Sequence, residues 1–176
     1  MQETALFTVK TTMEQDDYRN FLYFATFRKN RFTIPMLFVL SGLLALISRY
    51  FVESFEWMGF LITWVCLLGI MIATLCYKVE WKKKRRVQTD HTGTFGSSES
   101  ISFYQDYLIS QSPHVEGTSK VRYDQFYRVY SSKSYFILYY NASMASLIRK
   151  KDMDKETSKG IELLLQKEFK NKFRSI

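Results

Sequence analysis

Five consecutive cations, Lys82-Lys83-Lys84-Arg85-Arg86, are the side chains whose type and spacing say most about chemistry in this chain. That chemistry is electrostatic. A basic cluster next to an apolar helix attracts the anionic lipid of an inner leaflet, at about 1 kcal/mol per basic residue near the surface. Its plainer role is to be solvated and to set topology. A smaller group, Arg149-Lys150-Lys151, has the charge to meet lipid headgroups or an acidic partner. Its plainer reading is a solvated strand end ahead of a helix.

Residues able to make or break covalent bonds are not grouped to do so. His91 and His114, the two histidines, have no nearby Cys or acidic ligand set and read as surface polar groups. Cys66 and Cys76 fall within an apolar run, at a spacing that forms neither a metal nor a redox motif, and read as small packing residues. Ser131, Ser132 and Ser134 have no nucleophile-elbow context and no obvious base. Gly93-Thr94-Phe95-Gly96 is neither a Walker loop nor a dinucleotide fingerprint. Glu99, Asp106, Glu116 and Asp124 belong at strand ends and turns, where solvated carboxylates are ordinary. The expectation is a protein without catalytic residues, metal or cofactor.

The elements that must position the cations are clearer. Two uncharged apolar runs, Phe32 to Ser48 and Trp57 to Tyr77, precede the Lys82 cluster. A bilayer core about 30 Å thick needs roughly 20 apolar helical residues. The second run meets that length. The first reaches it when Tyr50, Phe51 and Val52 are added and Arg49 snorkels to the interface. A soluble core helix is seldom apolar on every face, so a transmembrane hairpin with spans at about 32–52 and 57–77 is expected. Arg28, Lys29 and Arg31 precede it, and Lys78 with Lys82 to Arg86 follow, which places both termini on the cytoplasmic side of a cell membrane. Ser41 with Ala45, and Gly69 with Ala73, are small-residue pairs that let helices approach, within the hairpin or between copies.

Net charge is +8 and the pI about 9.4. Because much of the basic excess flanks the spans, membrane lipid accounts for it and nucleic acid is not an expected partner.

Residues 1–31 read as a short strand, Ala5 to Lys10, then an aromatic helix to about Arg28, capped by Thr12-Met13-Glu14-Gln15. That helix lies on the membrane or packs on the cytoplasmic domain. Residues 78–98 are a basic helical extension and a Gly-containing linker, and residues 99–176 a small domain. Its strands are expected at Glu99–Tyr104, Tyr107–Ser112, Lys120–Tyr123, Tyr127–Ser131, Tyr135–Tyr140 and Met144–Ile148, with a turn at Glu116-Gly117. A helix capped by Asp154 and running to about Arg174 presents Ile161, Leu164, Leu165, Phe169 and Phe173 as one apolar stripe. The fold class is α+β: a transmembrane hairpin plus a small antiparallel sheet closed at one end by that helix.

The layout resembles the YcxB-like family of bacterial membrane proteins. The runs that carry the likeness are Ser102 to Leu108, Val121 to Val129, Tyr135 to Tyr140 and Ser146 to Met153. The chain has Arg149 where that family often has Pro. The resemblance implies a cytoplasmic pleckstrin-homology-like domain, a partly open β-barrel with a C-terminal helix, and it carries over no catalytic residue. The expected role is a membrane-anchored module that binds a protein, peptide or lipid partner, or a second copy of itself. Two alternatives stand beside it: immunity to a membrane-active antimicrobial peptide or envelope-stress protection, and a subunit of an oligomeric transporter.

Overall fold

The computed structural model describes residues 4–50, 56–91, 93–113 and 117–176. His114, Glu116, and the end of the first span at Phe51 and Val52, lie outside them, as does most of the link after Tyr50. The chain forms two compact units, Met1–Glu14 with Asp90–Ile176, and Gln15–Thr89.

The first unit contains two four-stranded sheets that share one core. One sheet has the order β1 (Phe7–Thr12), β2 (Ser98–Phe103), β3 (Tyr107–Gln111), β4 (Thr118–Arg122), antiparallel throughout. The other has the order β7 (Ala145–Arg149), β6 (Tyr135–Tyr139), β5 (Arg128–Ser131), β8 (Phe173–Ser175). Alternation decides which side chains turn inward. Val9, Ile101, Phe103 and Leu108 leave the first sheet, and Val129, Phe136, Leu138 and Ile148 leave the second; all are buried. The helix following β7 (Lys155–Phe169) adds Ile161, Leu165 and Phe169 to the same cluster. Its first turn is capped by Asp154, whose carboxylate accepts from the Thr157 backbone N–H at 2.7 Å. Gly160 sits inside that helix because Phe7 needs the room: a Cβ there would come 2.5 Å from the ring tip of Phe7.

Three features differ from the sequence-based expectation. The N-terminal strand belongs with the C-terminal domain, since all six residues of β1 pair with β2. Thr12 therefore serves β1 rather than capping a helix, and its N–H donates to Asp152. In place of the expected partly open barrel there are two separate four-stranded sheets. The last helix stops at Phe169, not near Arg174. Phe173 is reached by a turn and then pairs in parallel with Val129, which places its ring against the core.

The turn at Lys170 has φ 42°, a conformation that favours glycine. Lys170→Gly is expected to raise stability by about 1 kcal/mol, read as a higher denaturant midpoint with unchanged slope. An unchanged or lower midpoint would show that the Lys side chain offsets the backbone cost.

The second unit is helical. After α1 (Gln15–Tyr23) come a π-helical turn (Phe24–Arg28), α2 (Thr33–Tyr50) and α3 (Trp57–Gln88); the helix of the sheet unit, Lys155–Phe169, is α4. α2 and α3 are long and apolar enough to cross a membrane. They pack on each other through small and polar groups. Ser41 and Ala45 are fully buried, and Trp64 Nε1 donates to Ser41 Oγ at 3.0 Å and to the Phe38 carbonyl at 3.2 Å. Gly42 leaves space for that indole. Arg49 reaches Thr63 Oγ1 at 3.3 Å. Ser41 and Ala45 thus serve the hairpin, whereas Gly69 and Ala73 lie on an exposed face.

Candidate functional site: a basic collar and a buried arginine

Lys82 to Arg86 occupy the last turns of α3, where five successive residues at 3.6 per turn encircle the helix. Lys82, Lys84, Arg85 and Arg86 are exposed, as is Lys78 one turn earlier. Lys83 is turned toward α1, with Nζ 3.2 Å from Asp16. α1 is held along this stretch by two further contacts: Arg19 Nε donates to Glu80 at 2.6 Å, and Tyr23 OH donates to the same oxygen at 3.0 Å. The Arg19 hydrogen bond is the largest influence on Glu80 and holds its carboxyl below the usual range. The aromatic helix therefore packs on α3, a third arrangement beside the two the sequence allowed.

The second basic group is not a patch. Arg149 is buried, its side chain 7% exposed. Nη1 lies 2.6 Å from Glu14 and Nε 2.7 Å from Asp152. Asp152 also accepts from Thr11 Oγ1 at 2.9 Å and from the Thr12 N–H at 3.2 Å, while Thr11 Oγ1 accepts from the Arg149 N–H at 3.1 Å. Burial alone would raise the Asp152 carboxyl, but the hydrogen bonds from Arg149, Thr11 and Thr12 together hold it below the ordinary carboxylate range. The cluster ties β1 to β7.

Lys150 also points inward. Its Nζ lies 2.9 Å from Ser131 Oγ, 3.5 Å from Glu162 and 4.4 Å from the centre of the Phe136 ring. Ser131 donates to Glu162 at 2.6 Å. A serine beside a lysine suggests a nucleophile with its base. This serine, however, is buried, and the lysine already faces a carboxylate, so the three groups link β5, the turn after β7 and α4. Only Lys151, 62% exposed, is presented to solvent. Alternation alone does not give this: Ile148 faces the core, so Arg149 lies on the other face of β7, where Thr11, Glu14 and Asp152 cover it.

Among the described residues no group of His, Cys, Asp and Glu could hold a metal ion. His91 is exposed after α3. Cys66 and Cys76 are free thiols, the first exposed on α3. A shallow groove of about 490 Å³ crosses the outer face of the first sheet, lined by Lys10, Ser98, Ser100, Gln111 and Thr118 among others.

One strand-and-helix succession decides what the first unit can be compared with: β2 end, β3 to β7, and the first turns of α4. Residues 103–165 match the family model described as YcxB-like protein. No curated protein and no solved structure gives a significant match. The YcxB-like stretch contains Arg149, Lys150 and Lys151 and the strands that carry them. It contains neither β1, which completes the first sheet, nor the collar.

Proposed function

We propose that this protein is a membrane-anchored interaction module: α2 and α3 cross the bilayer, both termini are cytoplasmic, and the sheet unit engages a protein, peptide or lipid at the inner surface. The observation that carries this reading is the exposure of large apolar side chains along both helices, next to a collar of exposed cations. Ile34, Val39, Ile47, Val65 and Ile70 are each more than half exposed. A contiguous apolar surface of that kind marks an interaction or membrane face. A helix needs about 20 apolar residues to cross, and α3 has them before its basic end begins. The positive-inside bias puts that end in the cytoplasm.

The pairing of β1 with β2 supports the same topology on separate grounds. The two strands flank the hairpin in sequence, so they meet only if the segment between them crosses the bilayer an even number of times. The sheet unit would then be a pleckstrin-homology-like fold in which two sheets and α4 enclose one core. Binding suits a unit whose buried Ser131 and Arg149 are already engaged structurally.

Two measurements test the proposal. Crosslinking in native membranes should recover a reproducible partner, a second copy included. Recovery of the lone species under every condition would defeat the interaction role. Separately, replacing Lys82, Lys84, Arg85 and Arg86 by Gln removes about 4 kcal/mol of attraction to anionic lipid, at about 1 kcal/mol per residue. A fluorophore at Gln88 of the full chain should lose its salt-sensitive response to phosphatidylglycerol nanodiscs. Retention of that response would show that the collar is not the lipid contact.

A further inference from the structure

We infer that β1 makes folding of the sheet unit incompatible with a half-inserted membrane hairpin. The inference rests on the membrane reading above, and it concerns how the chain registers its own insertion rather than what it binds.

β1 lies before Gln15 and its partner β2 after Thr89, with the whole helical unit between them. Their register is continuous, from Phe7 opposite Phe103 to Thr12 opposite Ser98, and the Leu6 N–H extends it by donating to the Phe103 carbonyl at 2.8 Å. β1 also supplies buried Val9 and Thr11. The residue that ends the unit's N-terminal part, Glu14, is the second carboxylate on Arg149. Without β1, β2 becomes an edge with a bare row of backbone groups, the core loses Val9, and Arg149 loses the hydroxyl of Thr11 from its backbone N–H. A chain with one crossing instead of two places β1 on the opposite side of the bilayer from β2, and hydrogen bonds cannot form through hydrocarbon. The sheet can therefore close with both spans in place or with neither, but not with one. Half-inserted chains are left with an open sheet, recognisable to proteases by its unpaired strand.

Counting crossings tests this. One added apolar span of about 20 residues, placed between Tyr50 and Trp57, makes the number odd; two added spans make it even again. Each full-length variant carries Cys66→Ala, Cys76→Ala and Val129→Cys, the reporter lying at a core position of zero exposure. Labelling by a membrane-permeant maleimide reports opening of the core. The odd variant should label at least about 10-fold faster than the parent, and the even variant at the parent's rate. Adding a second copy of residues 4–14 just ahead of Asp90 in the odd variant should restore slow labelling. Slow labelling of the unrescued odd variant would overturn the inference, as would fast labelling of the even one. Release of the parent chain from membranes by alkaline extraction would instead defeat the membrane reading, and is scored separately.

Discussion

Residues 4–14 joined by a short Gly/Ser link to residues 90–176 should fold as a water-soluble unit, whereas residues 90–176 alone should not. The join is feasible because the chain leaves and re-enters the unit at neighbouring points: Met13 bridges Phe95, and the Gly96 N–H donates to the Met13 carbonyl at 3.0 Å. The effect of omitting β1 is large. Burying a side chain the size of Val9 contributes about 1.5–3 kcal/mol, the partly buried Phe7 adds to it, and Arg149 loses its hydrogen bond to Thr11. Against a typical stability of about 5–15 kcal/mol, that loss leaves little or nothing. Near-ultraviolet circular dichroism and urea unfolding decide the matter. The joined protein should give fixed aromatic signals and a cooperative transition; the shorter one should lack both. A cooperative transition at the same midpoint in both would show that β1 is an ornament on a complete domain.

Arg149→Met is the next largest expected loss, at about 3–5 kcal/mol in the full chain, because removing one member of a buried ion cluster strands the other. Asp152 carries most of that consequence: its side chain is 15% exposed, whereas Glu14 is 57% exposed and can be re-solvated. The double variant Arg149→Met with Asp152→Asn should recover part of the loss, measured as a coupling in a double-mutant cycle of unfolding midpoints. Additive losses would mean that the pair does not act as a unit. A pH dependence follows with a defined sign. The folded Asp152 carboxyl is held below its ordinary value, so its contribution is present above that ordinary value, about pH 4, and is lost as pH falls through the lower folded value. In Arg149→Met burial is less opposed, and the folded carboxyl moves up toward or past its unfolded value. The part of the acid-induced loss that Asp152 supplies should therefore shrink or reverse, read as a shallower fall of stability below about pH 4 than in the parent. An identical acid limb would remove Asp152 from the account.

Much of this arrangement is legible in residue order, and the exceptions share a cause. The extent of α2 and α3, the hairpin at Gln105-Asp106 and the apolar stripe of α4 follow from local periodicity, which a sequence displays directly. The pairing of β1 with β2 does not, because alternation at Ala5 to Lys10 shows a strand without naming its partner. Reading Thr12 to Gln15 as a capping box was locally sound, and a distant Asp152 took the Thr12 N–H instead. The Arg149 group illustrates the same limit. Three adjacent cations suggest one patch, yet distant Thr11 and Glu14 with Asp152 cover Arg149 on the face of β7 opposite Ile148, Lys150 packs over Phe136, and of the three Lys151 alone faces solvent. The collar escapes this ambiguity because a helix of 3.6 residues per turn displays any five successive residues on all sides.

The outward residues of β2 acquire a purpose when the order of synthesis is considered. Contacts between β1 and β2 span long stretches of chain, as between Thr8 and Ser102, 94 residues apart. Closing so long a loop is slow compared with forming the hairpin of β2 and β3. During that delay β2 is a naked edge, the kind of strand that recruits neighbours into aggregates. Its solvent face is Ser98, Ser100 and Ser102, three small hydroxyl residues of low hydrophobicity. A strand that must wait for its partner is thereby made unattractive to any other, and replacing those serines with Val would be felt first during biogenesis rather than in the finished protein.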